Sequence, residues 1–456
     1  MKKVAIIGFG VSGQALARYF DNKEFKISVF DSKKETDFGS NLFDNFPNVD
    51  FNFEKDDFNE EDFDLIAISP GVTRKLPVLI RAQEKGIRIE IDITIFIDHW
   101  RGRGKIVGVT GSNGKTTIVN LIHGYLKSIN SDSVLAGNVG NSPLDLLEEY
   151  KDKKDVTAVL ELSSYQLETF REKHYLDVCV ISNLSSNHLD RYDGSMQKYS
   201  DAKMNGIDFN KTEIILDLDD EGIKKYVLPK IKSKKITSVS FEQSLDQVIN
   251  KGVYIDSDND LVLGSNDNFE KIFVDVGNRK LIGIHNLYNI AMSFAVIDLL
   301  NLDICNDNFF RDFEGLEHRI EFVREFEGIK YINDSKSSSP SATKAAIESV
   351  SKTKNLILIM GGNDKGMNLD VLEEVIQDNV KEIILLPGDI DNKIMSNFSD
   401  ILKIEKVKNL EEAINISKNI SNAGCIVLLS PSATSFKLYK NYEERGEHFK
   451  ELVNNL

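Results

Sequence analysis

Short apolar runs recur along this chain, each stopped by Gly, Asn, Ser or Asp: Val4–Ile7, Leu65–Ile68, Ile106–Val109, Val156–Leu160, Val178–Ile181, Ile214–Leu216, Leu356–Met360, Ile383–Leu386 and Ile426–Leu429. Continuous runs of this kind predict strands covered on both faces, and the helical patterns between them predict crossover connections. The expected fold class is α/β with mostly parallel sheets. One stretch departs from this pattern. Between Ile236 and Val276, the runs Val253–Ile255 and Leu261–Leu263 flank the turn-rich Asp256–Asp260, which predicts a hairpin and a small antiparallel patch. The Asp- and Asn-rich stretch 37–57 predicts a loop.

Polar, glycine-containing Arg101–Lys105 precedes a fresh strand, and the helical pattern Leu287–Leu300 ends before Leu302–Asp307. These two places suggest a division into 1–98, 99–302 and 303–456, three successive α/β units. A length of 456 residues suits three domains.

Composition narrows the function. A hydrophobic content of 41%, with 26 Phe and 13 Tyr, excludes a disordered chain. Lys and Arg number 56 against 72 Asp and Glu, a formal charge of −16, and no basic run appears, so no nucleic-acid partner is expected. Cys179, Cys305 and Cys425 are distant and odd in number, which excludes a disulfide framework and predicts buried thiols in a reducing compartment. Gly8, Gly10 and Gly13 interrupt the first apolar run too early for a secretion signal, and no run is long enough to span a membrane. The expectation is a cytoplasmic chain without membrane insertion.

The strongest chemical signal is Thr110-Gly111-Ser112-Asn113-Gly114-Lys115-Thr116-Thr117, between the strand at Ile106–Val109 and the helical run Ile118–Leu126. Glycines let backbone N–H groups converge on phosphate oxygens, and the helix start adds its dipole. Lys115 can neutralise phosphate charge, and Thr116 can offer a hydroxyl to Mg²⁺. The strict G-x-x-x-x-G-K-[ST] spacing is not met, because Val109 stands five positions before Gly114. ATP is the expected ligand.

Other residues stand where parallel sheets bind ligands, just beyond strand ends. Glu161 follows Val156–Leu160, and its carboxylate suits Mg²⁺. His188 follows the strand at Val178–Ile181, while Tyr199 and Lys203, four apart, share a helix face. Asn286 and Asn289 share another and can hydrogen-bond a base or ribose, or simply cap a helix. In the first unit, Gly8-Phe9-Gly10-Val11-Ser12-Gly13 lies between a strand and a helix, with Asp31 after the next strand. That is a Rossmann-like fingerprint for a diphosphate-containing ligand, NAD among them.

The loop Thr110–Thr117 resembles the ATP loop of the Mur ligases and folylpolyglutamate synthases, which join an amino acid to a carboxylate. The resemblance runs through Glu161-Leu162-Ser163-Ser164-Tyr165-Gln166-Leu167-Glu168, Gly283-Ile284-His285-Asn286-Leu287-Tyr288-Asn289, Gly315–Glu321 and Tyr331–Lys336. It covers nearly the whole chain and is strongest with the D-glutamate-adding branch of the Mur ligases.

That resemblance implies three domains, Rossmann-like at both ends with a phosphate-loop domain between them. It implies ATP with two Mg²⁺ ions, held by Thr116, Glu161, His188 and a carbamylated Lys203, with Lys115, His188 and Lys203 as catalytic residues. Gly111, Ser112, Asn113, Gly114, Lys115, Thr116, Thr117, Asn286, Asn289, Arg319 and Asp334 would contact ATP. UDP-N-acetylmuramoyl-L-alanine would lie on Val11, Ser12, Asp31, Ser32, Lys33, Ser69, Gly71 and Asn138. D-glutamate would lie on Ser338, Lys365, Ser435, Phe436 and Tyr442. ATP would convert the alanyl carboxylate to an acyl phosphate for attack by the amine, in peptidoglycan precursor synthesis, and a single chain would suffice. A sibling enzyme adding L-alanine and a folylpolyglutamate synthase share the central motifs; an NAD-dependent oxidoreductase leaves Gly111–Thr116 without a role. Ser338, Tyr442, Ser432-Ala433-Thr434 and Asp217 depart from the residues common in the family, which bears on amino-acid choice and on the nucleotide contact more than on reaction type.

Overall fold

The protein is seen in a computed structural model that describes residues 1–456 except 24, 39–42, 141, 187–188, 233–234, 242–250, 257–259, 266–267, 275–278, 282, 303–307, 352, 365 and 436–437, and except the side chains of 190, 265 and 268–274. The chain forms two compact units: Met1–Gly277 with Leu287–Phe310, and Asn278–Asn286 with Arg311–Leu456. Among the described residues, no helix is long and apolar enough to cross a membrane.

The first unit holds two sheets. One comprises β1 (Lys3–Ile7), β2 (Lys26–Asp31), β3 (Val49–Phe53), β4 (Leu65–Ile68) and β5 (Arg88–Glu90), all parallel, in the order β3-β2-β1-β4-β5. The order reverses beside β1, so the crevice for a ligand opens at the carboxyl end of β1, where Gly8–Gly13 turns into the helix Val11–Asp21. The expected loop at 37–57 is corrected here. Val49, Phe51 and Phe53 alternate with Asp50 and Asn52, and this period of two forms β3. Phe51 packs edge-on against buried Phe9, ring centroids 5.0 Å apart, so aromatic burial overrides the acidic composition.

The second sheet comprises β6 (Ile106–Thr110), β7 (Ser133–Gly137), β8 (Thr157–Glu161), β9 (Val178–Ile181), β10 (Glu213–Asp217), β11 (Ile236–Phe241), β12 (Lys251–Ile255), β13 (Leu261–Ser265) and β14 (Asn268–Val274), in the order β14-β13-β12-β11-β10-β9-β6-β8-β7. Strands β12 and β13 form the expected hairpin, and β14 extends it antiparallel, whereas β11 pairs parallel with β12. Both sheets share one apolar core that runs from Val4 and Ile66 through Trp100 to Leu160 and Ile181.

The second unit carries β15 (Glu321–Phe326), β16 (Ile329–Asn333), β17 (Leu356–Gly361), β18 (Val380–Leu386), β19 (Ile404–Lys406) and β20 (Ile426–Leu429), in the order β15-β16-β20-β17-β18-β19. Only β15 is antiparallel, joined to β16 by the turn at Glu327-Gly328. Along β17, Leu356, Leu358 and Met360 enter one core cluster while Ile357 and Ile359 enter the other. An uninterrupted apolar run is what a strand covered on both faces requires. Cys179 and Cys425 are buried, as expected; Cys305 lies outside the described residues.

The turn after β1 leaves no room for a side chain at Gly13, where a Cβ would lie 2.0 Å from the Gly8 carbonyl oxygen; at Gly10 a Cβ meets nothing within 4 Å. Gly13→Ala is therefore expected to cost about 1–3 kcal/mol and Gly10→Ala less than about 0.5 kcal/mol, read as the difference between their thermal unfolding midpoints. Equal midpoints would contradict the packing described.

Candidate functional site

In the first unit, the loop after β6 is clamped to the segment after β9. Ser112 N–H donates to the Asn183 carbonyl at 3.0 Å, Asn113 N–H to Asn183 Oδ1 at 2.9 Å, and Ser182 Oγ to the Asn113 carbonyl at 2.6 Å. Gly114 has φ +84°, and a Cβ there would lie 2.4 Å from Asn289 Oδ1, so the helix Ile284–Leu299 reaches the loop at Asn289. Lys115 and Thr116 open the helix Lys115–Ser128, with Thr117 buried in its first turn. Lys115 Nζ is folded back onto the loop and donates to the carbonyls of Gly111 and Ser112, both at 2.9 Å.

A second lysine reaches the same carbonyl. Ser195 caps the helix Met196–Met204, its Oγ accepting from Lys198 N–H, and this places Tyr199 and Lys203 one turn apart. Lys203 is 1% exposed, donates to the Gly111 carbonyl at 2.9 Å and lies 4.5 Å from the Tyr199 ring centroid. Burial, and then the charge of Lys115, hold the Lys203 amine well below the usual lysine range. The Tyr199 hydroxyl meets Ser112 Oγ at 3.2 Å.

Glu161 closes β8 opposite Val109 of β6 and is 2% exposed. Its Oε1 accepts from Asn138 Nδ2 at 2.9 Å, whereas Oε2 is buried with no hydrogen-bond partner among the described residues. A buried carboxylate oxygen without a donor is costly unless a cation joins it. Together with the hard oxygens of the loop, it fits Mg²⁺. His188 lies outside the described residues. Asp217, at the end of β10, is pushed up to about 7 by burial, so near neutral pH much of it carries a proton and offers a donor as an asparagine amide does.

A cavity of about 790 Å³ opens at the carboxyl ends of β1 and β4. Val11, Ser12, Asp31, Ser32, Lys33, Ser69, Gly71 and Asn138 all line it, and so does Gln166. The Asp31 carboxylate holds the loop, accepting from Phe9 N–H at 2.7 Å and Lys33 N–H at 2.9 Å.

In the second unit, Asp334 follows β16 and is fully enclosed. Ser430 Oγ donates to it at 2.7 Å and Ile320 N–H at 3.3 Å, yet burial pushes its carboxyl up to about 6. Arg319 is close enough to Asp334 to oppose that shift. Lys336 Nζ donates to the Tyr442 hydroxyl at 2.7 Å, and Ser335 Oγ to the Tyr442 carbonyl at 2.8 Å. Ser435 is buried, and Ser338 is partly exposed two residues before the helix Pro340–Val350. Asn286 belongs to this unit and is 6% exposed. Lys365 and Phe436 lie outside the described residues.

Comparison with known proteins decides the family. The Mur ligase middle domain matches residues 109–297, the Mur ligase MurD-like N-terminal domain residues 2–90, and the Mur ligase glutamate ligase domain residues 318–433. The chain is 33% identical to the UDP-N-acetylmuramoylalanine--D-glutamate ligase of Clostridium tetani and 34% identical to that of Acetivibrio thermocellus, in each case over all of this chain and 97% of the relative. The chain belongs to the Mur ligase family.

Solved Mur ligases share the fold. MurF ligase from Thermotoga maritima, in complex with ADP, has a TM-score of 0.59 at 17% identity over 95% of this chain and 97% of that one. UDP-N-acetylmuramate-alanine ligase MurC from the same organism gives 0.59 at 17% over the whole of both chains.

Sequence reasoning missed Ser182, Asn183 and Gln166. Ser182 and Asn183 lie just beyond an apolar run, the one signal available for them, and Gln166 stands within the segment Glu161–Glu168 that carries the family resemblance. Two histidine–carboxylate clusters stand elsewhere among the described residues, Glu90 with Asp98 and His174, and Glu317 with His318 and Glu447. Nδ1 of His174 accepts from Arg171 N–H at 3.1 Å. Nδ1 of His318 accepts from Asn333 Nδ2 at 2.9 Å, the amide being oriented by Ser335 N–H on Asn333 Oδ1. In each ring Nδ1 is already engaged by one of these hydrogen bonds.

Asp334 gives a pH-dependent prediction. Its folded pKa of about 6 lies above the ordinary 3.8, so the folded state holds the proton more tightly. Stability then falls as pH rises between these values, with a full cost of about 3 kcal/mol above them. Asp334→Asn removes this term, so its unfolding midpoint relative to wild type should be higher at about pH 7.5 than at about pH 4.5. An unchanged difference would contradict the buried, proton-retaining Asp334.

Proposed function

We propose that this Mur ligase couples D-glutamate to UDP-N-acetylmuramoyl-L-alanine at the expense of ATP, forming a peptidoglycan precursor in the cytoplasm as a monomer. The observation that carries the reading is the buried, unpartnered Glu161 Oε2 beside a phosphate loop whose Gly111 carbonyl receives two lysines. The full-length likeness to D-glutamate ligases selects the substrates. In this reading, the sequence divides into a nucleotide-sugar domain (1–98), an ATP domain (99–302) and an amino-acid domain (303–456).

Each residue then has a task. Backbone N–H groups of Gly114–Thr117 at the helix start cradle the phosphates, with Gly111, Ser112 and Asn113 shaping the loop that receives them, and Lys115 leaves the loop carbonyls to follow the charge that develops on the transferred phosphoryl group. Thr116, Glu161, His188 and Lys203, the last as its carbamate, would hold two Mg²⁺ ions, which would offset phosphate charge. A neutral amine is the form that adds carbon dioxide, and burial supplies that form at Lys203. Asn138, hydrogen-bonded to Glu161, links the nucleotide-sugar cavity to the loop and orients the alanyl end of the substrate. The alanyl carboxylate attacks the γ-phosphorus, ADP leaves, and the amine of D-glutamate displaces phosphate from the acyl phosphate.

Asn286, Asn289, Arg319 and Asp334 serve ATP, while Ser338, Lys365, Ser435, Phe436 and Tyr442 serve the amino acid. The Lys336–Tyr442 hydrogen bond gives the tyrosine hydroxyl, which phenylalanine lacks, a fixed partner. That offsets the departure from the usual aromatic.

Phosphate release measured with ATP, Mg²⁺ and UDP-N-acetylmuramoyl-L-alanine should require D-glutamate, and Lys115→Ala should lower kcat by roughly 10²–10³-fold. Turnover with another amino acid but not with D-glutamate would overturn the substrate assignment.

A further inference from the structure

One carboxylate on the wall of the first unit's cavity is committed to nothing else. Loops at the carboxyl ends of three neighbouring strands border that cavity: Gly8–Ser12 after β1, Asp31–Lys33 after β2, and the turn beyond β3 that carries Asp56. This last turn is stitched to its neighbour. Glu54 N–H donates to the Lys33 carbonyl at 3.0 Å, and Lys55 N–H to the Asp31 carbonyl at 3.1 Å. Glu54 has φ +53° there, a conformation that a glutamate keeps only where its surroundings hold it.

The acids of this segment divide into paired and unpaired. Asp57 pairs with Arg81 at 2.5 Å, Glu60 with Arg81 and Lys85, both at 2.8 Å, and Glu61 with Lys85 at 2.9 Å. Asp31, the acid that a dinucleotide-type fingerprint assigns to a ribose, has one N–H on each oxygen, from Phe9 and from Lys33. Asp56 is exposed at the cavity wall and has no hydrogen-bond or ion-pair partner among the described residues.

Position and charge decide what Asp56 can meet. Neighbouring strands lie about 4.8 Å apart, so two spacings, about 10 Å, separate the loop after β1 from the turn after β3. A diphosphate on the helix start after β1 therefore stands off from a carboxylate that would repel it. The reacting end of the ligand must lie toward Asn138, which is bonded to Glu161, and this leaves the nucleoside end toward β2 and β3. A uracil ring offers one imide N–H, flanked by two carbonyl oxygens that a carboxylate repels. A ribose offers two adjacent hydroxyls, one for each carboxylate oxygen.

We propose that Asp56 binds the ribose of the nucleotide-sugar, accepting hydrogen bonds from its 2′- and 3′-hydroxyls, the part that Asp31 gives up by holding the loop. This rests on the reading of the cavity as a nucleotide-sugar site.

The test is calorimetric binding of UDP-N-acetylmuramoyl-L-alanine, its 2′-deoxyuridine analogue and its 3-methyluridine analogue to the full chain. Wild type should bind the parent compound about tenfold more tightly than the 2′-deoxy analogue, which lacks one hydrogen bond to a charged acceptor. Asp56→Ala should bind the parent more weakly by about the same factor and hold the two sugars within about twofold of each other, with the KM for ATP and kcat at saturating substrates unchanged. Asp62→Asn removes the same charge from the same segment, away from the cavity lining, and should keep the wild-type preference. Loss of the preference in Asp62→Asn would reveal a general charge effect and overturn the contact. Equal binding of parent and 2′-deoxy analogue by wild type, or the same preference in wild type and Asp56→Ala, overturns the ribose contact while leaving the cavity reading intact. So does discrimination against the 3-methyl analogue that vanishes in Asp56→Ala, which moves the carboxylate to the base. No binding of the parent compound to wild type overturns the cavity reading and the contact with it.

Discussion

Two lysine side chains end on one backbone carbonyl, that of Gly111, so two like charges compete for it. Lys203 is the more deeply buried of the two, and burial together with the charge of Lys115 holds its amine well below the usual lysine range. The consequence spreads outward. A Lys203 amine held below the usual lysine range eases the repulsion between the two side chains while its bond to the Gly111 carbonyl ties the loop after β6 to the helix Met196–Met204. A full charge on Lys203 is opposed by the charge of Lys115 at the same carbonyl.

A chain of net charge −16 is an unlikely host for polyphosphates on charge alone, and the fold answers with short-range devices. Glycine turns after β1 and β6 bring backbone N–H groups and helix starts to the carboxyl ends of parallel strands. Two of the carboxylates there are spent on structure. Asp31 holds Phe9 and Lys33, and Glu161 Oε1 holds Asn138. Anion binding of this kind depends on the orientation of a few dipoles and on the protonation state of buried acids, not on a basic surface.

Much of this was legible in the sequence because parallel strands buried on both faces leave unbroken apolar runs. All nine such runs form strands within a few residues of their expected bounds, and the phosphate loop was readable from its glycines and Lys115. Strand β3 was not, since its alternating Phe and Asp positions look like an acidic loop until the packing of Phe51 on Phe9 is seen. The β15–β16 hairpin, marked only by Glu327-Gly328, escaped for want of a long apolar run. Within the cavity, the eight residues named from the family resemblance do line one surface. Nothing in the sequence distinguishes the depth at which Lys203 lies from that of an ordinary surface lysine.

The most direct test of the lysine pair is a ¹³C NMR spectrum of the protein equilibrated with ¹³C-bicarbonate. The account predicts a carbamate resonance that is present in wild type and in Lys115→Gln and lost in Lys203→Gln. Absence of the resonance from wild type, or its persistence in Lys203→Gln, would contradict the claim that the buried lysine is the one that gives up its charge.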